Sequence, residues 1–134
     1  MKEQFNFVVA GISTICTWIF GGWDMALYIL ILFMVIDYIT GVIKSYLTKE
    51  LSSNIGFNGL VRKTTIFLVL FVAVGVDRIL NNDNWIFRTL TCYFFVANEG
   101  ISIIENVSVI GIPVPKKLIE ALKQLKGEDE NEQF

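Results

Sequence analysis

The sequence predicts an all-α membrane protein, with three to four transmembrane helices followed by a short cytoplasmic amphipathic C-terminal helix. Three observations predict it. Apolar residues make up 54% of the chain and charged residues only 18%, where soluble domains sit near ~45–50% and ~25%. The apolar residues gather into four stretches, at 5–20, 24–43, 64–80 and 85–111. The lysines and arginines outside those stretches fall in some connections and are missing from others.

Crossing a hydrocarbon core of ~30 Å takes about 20 helical residues, with about 17 tolerated. The second and fourth stretches meet that length and the third is marginal. The first is short and carries Ser13, Thr14 and Thr17; it either crosses or lies in the interface. Lys2 offset by Glu3 at its start, and Phe20-Gly21-Gly22 at its end, do not resemble a cleaved secretory leader. The segment is therefore expected to stay in the membrane. Between the second and third stretches, LSSNIGFNGLVRK (51–63) has the Ser, Asn and Gly of an ordered turn region. Ser52 or Ser53 there can cap a short helix, which sets Arg62 and Lys63 at phosphate level. Pro113 and Pro115 end the fourth stretch, because proline cannot continue the hydrogen-bond ladder. Pro115 suits the first turn of a new helix at 115–126. Leu118, Leu122 and Leu125 share one face of that helix and lysines occupy the rest. This describes a basic amphipathic helix on the inner membrane surface, or one packed against the 44–63 loop. The acidic residues 127–134 read as a disordered tail, so residues 1–126 form a single membrane domain.

Orientation follows from the basic residues, which stay cytoplasmic near the ends of spans. Lys2 precedes the first stretch, Lys44, Lys49, Arg62 and Lys63 lie between the second and third, and Lys116, Lys117, Lys123 and Lys126 follow the fourth. The turns GGWD (21–24) and NNDN (81–84) hold no Lys or Arg. Four crossings put every basic cluster inside and both bare turns outside; three crossings keep the same inner loop and a cytoplasmic C-terminus. Lys44, Arg62, Lys63, Lys116, Lys117 and Lys123 are then expected to anchor the protein to anionic lipid.

The fourth stretch contains VANEGISIIEN (96–106), which sets two glutamates and two asparagines where lipid is expected. At 100° per residue, Arg88, Thr91, Asn98, Glu99, Ser102, Glu105 and Asn106 fall within an arc of roughly 120°. Lipid cannot satisfy such a face, so it must meet protein or water. Asp37 and Glu99 both lie about 20 Å below the outer ends of their helices at ~1.5 Å per residue. Two carboxylates at close range require a cation or a shared proton. Nearer the outer side Asp77 and Arg78, both expected to be buried charges like Asp37, approach Arg88, and an Asp77–Arg88 pair is expected. Three uses of the polar face remain open: glue between helices of one chain, the seam or wetted wall of an oligomer, or a proton-coupled carboxylate at Glu99.

Other functions find little support. A net charge of −2 does not suggest nucleic acid. The two cysteines, Cys16 and Cys92, lie in apolar runs, and the chain has no histidine; neither a disulfide framework nor a metal site is indicated. No nucleophile–histidine pair or phosphate-cradling glycine loop occurs, so neither catalysis nor a cofactor is expected.

The stretches DYITGVIKS (37–45), SSNIGFNGLVRK (52–63) and ANEGISIIENVSVIGIPVPKKLIEALKQLK (97–126) resemble the phage lysis and toxin-secretion holins, the family that includes clostridial toxin-export holin-like proteins. The resemblance covers roughly residues 30–126. It implies a small protein of the bacterial cytoplasmic membrane that oligomerises into lesions. These would release a phage endolysin or a large toxin without a specific binding site for the passenger. The resemblance brings no enzyme activity, no cofactor and no catalytic residues. Two other readings stand beside it. A small proton-coupled four-helix exporter would use Glu99, although the strong basic bias counts against a dimer inserted both ways. A membrane anchor for a soluble partner would rest on the acidic tail.

Overall fold

The computed structural model describes residues 1–127, so the expected disorder beyond Gly127 lies outside the described residues. Five helices follow one another: α1 (Lys2–Phe20), α2 (Met25–Leu47), α3 (Ser53–Ile79), α4 (Ile86–Ile110) and α5 (Lys116–Lys126). α4 is the centre of the bundle. It packs most broadly against α2 and also holds α3 and α5, while among the described helices α1 packs along α3. Among the described residues two helices, α2 and α3, are long and apolar enough to cross a membrane.

α2 starts where Asp24 accepts a hydrogen bond from the Leu27 amide at 3.0 Å, satisfying one of the free N–H groups of a helix start. Its buried residues Leu27, Leu30, Met34 and Asp37 recur every three or four positions and make one stripe. α3 begins at Ser53, well before the expected start at 64, because the Ser52 hydroxyl caps it through the Ile55 amide. Its first two turns contain Gly56 and Gly59, over which Tyr38 of α2 leans. A Cβ at Gly56 would lie 3.3 Å from the Tyr38 hydroxyl. The basic pair Arg62–Lys63 therefore stands inside a helix, not in a loop.

α1 buries no residue. Its Thr14 and Thr17 hydroxyls donate to the carbonyls of Ala10 and Ser13 at 2.8 Å, which hides them within the helix itself. Gly21 ends α1 with φ +77°, a left-handed cap that glycine adopts without strain. Phe20 anchors this end edge-on to Phe67 and Phe71 of α3. The two turns without Lys or Arg meet at one end of the bundle, where a Cβ at Gly21 would sit 3.1 Å from the Trp85 ring.

α5 departs from expectation. The sequence suggested a helix on the membrane surface or against the 44–63 loop, yet α5 packs on α4. Gly111, with φ +101°, closes α4, and the short link through Pro113 and Pro115 reverses the chain. Gly100 has no side chain, and the space is filled by Leu122, whose Cδ atom lies 2.9 Å from where a Cβ would stand.

The apolar core joins Leu27, Leu30 and Met34 of α2, Ile66 and Leu70 of α3, and Cys92 and Val96 of α4. Cys16 and Cys92 are both free.

Candidate functional site: two buried ion clusters and an uncovered polar flank

Each of the three central helices carries charge at both ends of one apolar stripe. Asp24 and Asp37 bracket Leu27, Leu30 and Met34, while Lys63 and Asp77 bracket Ile66 and Leu70. On α4, Arg88 and Glu99 bracket Cys92 and Val96. The spacings, 11 to 14 residues, correspond to about 16–21 Å of helix. Packing the stripes together therefore collects the charges into two clusters, one above and one below the apolar core.

In the first cluster, Lys63 Nζ lies 2.5 Å from Asp37 Oδ2 and 2.5 Å from Glu99 Oε2, tying α3 to both α2 and α4. The Lys63, Asp37 and Glu99 side chains are 13%, 11% and 5% exposed. Asn106 completes the group. Its Nδ2 donates to Asp37 Oδ1 at 3.0 Å and reaches Thr40 Oγ1 at 3.1 Å. Gly41 leaves the room for this, since a Cβ there would lie 3.7 Å from Asn106 Nδ2. Lys63 was expected among lipid phosphates. It is instead the cation that two neighbouring carboxylates require, because the early start of α3 turns it inward.

The second cluster forms at the bare turns. Arg88 is 3% exposed; its Nη1 and Nη2 grip the two Asp24 oxygens at 2.7 and 3.2 Å. Its Nη2 also donates to the Gly22 carbonyl and its Nε to that of Phe20, at the end of α1. This bidentate pairing holds the half-exposed Asp24 carboxyl below the usual carboxylate range. The expected Asp77–Arg88 side-chain pair does not form. Asp77, 1% exposed, caps α4 from outside that helix, accepting from the backbone amides of Phe87 at 3.1 Å and Arg88 at 2.8 Å. Trp85, at the N-cap position with φ +52°, offers no side-chain cap, so a carboxylate from α3 serves the helix start. Arg78, expected to be buried, is exposed. Its Nη2 donates to the Trp18 carbonyl, and its guanidinium stands 4.8 and 5.2 Å from the Trp18 and Trp85 ring centres.

The predicted polar face of α4 divides. Arg88, Glu99 and Asn106 point into the chain's own packing, while Thr91, Asn98 and Ser102 are partly exposed and Glu105 is exposed. None of these last four makes a side-chain hydrogen bond or ion pair among the described residues. Of the expected basic anchors, Lys116, Lys117 and Lys123 are exposed on α5, Arg62 is exposed on α3 and Lys44 is half-buried on α2. Sequence reasoning did not assign partners to Asp24 and Thr40. Among the described residues no group of three or more His, Cys, Asp or Glu could hold a metal ion.

Comparison with known proteins gives this arrangement a family. No solved structure matches. An uncharacterised 14.9 kDa protein of Clostridium perfringens is 51% identical over 95% of this chain and 98% of its own length. An uncharacterised protein of Listeria monocytogenes is 37% identical over 97% of this chain and 94% of its own. A probable holin of Bacillus phage phi105 is 40% identical over 72% of this chain and 70% of its own. The model of the bacteriophage holin family matches residues 14–127. With two helices of membrane-crossing length and apolarity at its centre, the chain belongs to the bacteriophage holin family.

Proposed function

We propose that this protein is a lesion-forming holin: it resides in the bacterial cytoplasmic membrane as a multi-pass protein with a cytoplasmic C-terminus, associates with copies of itself, and opens lesions for a passenger endolysin or toxin. The observation that carries this reading is the uncovered flank of α4. Thr91, Asn98, Ser102 and Glu105 lie at i, i+7, i+11 and i+14, a line about 21 Å long. Among the described residues their own chain gives them no hydrogen-bond partner. Within lipid such groups find partners only on another helix or in water, and a second copy of α4 or a wetted opening supplies one or the other. A single small bundle encloses no wide conduit, so passage of a folded protein needs many copies.

Four crossings fit this reading. α1 spans ~28 Å at ~1.5 Å per residue and exposes Phe5, Phe7, Ile12, Ile15 and Trp18, as a lipid-facing helix does. α4 is long enough but too polar to stand alone in lipid, which is consistent with α2 and α3 covering its ion clusters. No enzymatic step or cofactor enters the reading. The exporter alternative gives Glu99 a working role; its 2.5 Å contact with Lys63 favours a structural one.

Cysteine crosslinking in native membranes tests the proposal. Asn98→Cys in a Cys16→Ala background should give disulfide-linked dimers on mild oxidation, with Cys92 out of reach at 0% exposure. Tyr93→Cys, about 140° around α4 from Asn98 at 100° per residue and exposed, should crosslink far less. Equal crosslinking at both positions, or none at Asn98→Cys, would overturn the assignment of this flank.

A further inference from the structure

A cavity of about 360 Å³ opens at the end of the bundle away from Arg88, between the last turns of α2 and the first turns of α3. Lys44, Ser45, Asn58, Arg62 and Lys63 line it, with Asp37 and Asn106 among the deeper residues. Lys63 is already engaged by Asp37 and Glu99, whereas Lys44 and Arg62 face no carboxylate within ion-pair distance among the described residues. Three cations thus stand against two carboxylates. Asp37 is held by Lys63 and Asn106 at the floor, so the excess positive charge is nearer the mouth. Ser45 is only 6% exposed and borders the cavity, and its hydroxyl has no hydrogen-bond partner among the described residues.

The cavity also has a definite depth. α3 has 27 residues, where a hydrocarbon core needs about 20. The surplus is its first two turns, rich in Ser, Asn and Gly, and these turns are one wall. The mouth therefore stands at headgroup level, with Lys44 in the last turn of α2 facing it.

We propose that this cavity is a binding site for a phosphate group, taken either from an anionic lipid headgroup or from free phosphate. The Arg62 fork and the Lys44 ammonium supply charge-assisted donors suited to phosphate oxygens. Ser45 and Asn58 supply neutral ones. Gly56 and Gly59 keep the wall thin enough for the group to enter. Occupancy would clamp the ends of α2 and α3 together at the membrane surface, independently of whether copies associate through α4.

The test uses the full chain in neutral alkyl-glycoside micelles, titrated calorimetrically with short-chain phosphatidylglycerol and, separately, with inorganic phosphate. Phosphatidylglycerol should bind saturably, and the Lys44→Gln/Arg62→Gln double variant should weaken it at least tenfold. Gly59→Leu, which fills the cavity without altering charge, should weaken it comparably. Lys116→Gln/Lys117→Gln, an equal charge loss on α5, should change it less than twofold. Competition by inorganic phosphate assigns the site to the phosphate group alone; binding of the lipid without such competition assigns it to the headgroup. Circular dichroism verifies that each variant keeps its helices. Absence of binding by either probe, or unchanged binding in the Lys44→Gln/Arg62→Gln variant, would overturn the proposal.

Discussion

Replacing Lys63 with methionine isolates what the shared cation does. The side chain keeps its length and apolar stem, so packing changes little, but Asp37 and Glu99 lose the ammonium that sits 2.5 Å from each. Both carboxyls are almost fully buried, and removing one partner of a buried ion pair typically costs about 3–5 kcal/mol. Here two like charges are left facing each other, which argues for the upper part of that range. At roughly 3–5 °C per kcal/mol for a chain of this size, the midpoint of thermal unfolding in micelles should fall by roughly 10–20 °C. The neutral triple variant Asp37→Asn/Lys63→Met/Glu99→Gln should recover most of the loss, because it removes the unpaired charges while preserving shape. Lys63→Arg should lie between, its planar fork meeting a site built for a compact ammonium. The reasoning is refuted if Lys63→Met unfolds within a few degrees of the wild type, or if the triple variant is as unstable as the single one.

Three further outcomes follow from the same geometry. Arg88→Met frees the carbonyls of Phe20 and Gly22 and should loosen α1, which has no fully buried residue to hold it, so tryptophan fluorescence should shift and proteolysis at 21–24 accelerate. Asp77→Ala removes the cap of α4 and should cost about 1–2 kcal/mol, read as a lower unfolding midpoint, whereas Asp77→Asn, with one acceptor left, should cost less. Because Arg88 lowers the Asp24 pKa, this pair stabilises the protein above the unfolded value near 3.8 and loses its effect as pH falls through the depressed folded value. The contribution is small, since the Asp24 side chain is 51% exposed. Asp24→Asn should therefore lower stability slightly near neutrality and converge with the wild type at low pH, which flattens the acid limb of a stability–pH profile.

The helices themselves were legible because long apolar runs and proline punctuation act locally. Asp24, Ser52 and Gly111 end or begin helices by the rules their types suggest. The start of α3 was misplaced because Asn54, Gly56, Asn58 and Gly59 read as a turn. What keeps them helical is the Ser52 cap and the overhang of Tyr38, and the latter is a tertiary contact. A polar face on α4 was visible from periodicity alone, but periodicity cannot say which half a neighbouring helix covers. That depends on which side α2 and α3 approach. Lys63 was assigned to lipid because it was read as a loop residue. The missed signal was the matched spacing of charges across the three apolar stripes, which pairs Lys63 with Asp37 and Glu99. Arg88 and Asp77 were brought near each other correctly in sequence terms. Their partners differ because the α1–α2 turn supplies Asp24 and two carbonyls, while the uncapped start of α4 takes Asp77.

The most direct test of the central claim is leakage of a folded cytosolic reporter from a bacterial host expressing the protein, followed together with membrane potential and viability. The account predicts abrupt loss of all three, with release of the reporter, and a strong delay or loss of release for Asn98→Leu/Glu105→Leu at matched membrane levels. Steady growth with an intact potential and no release, even at high expression, would contradict it.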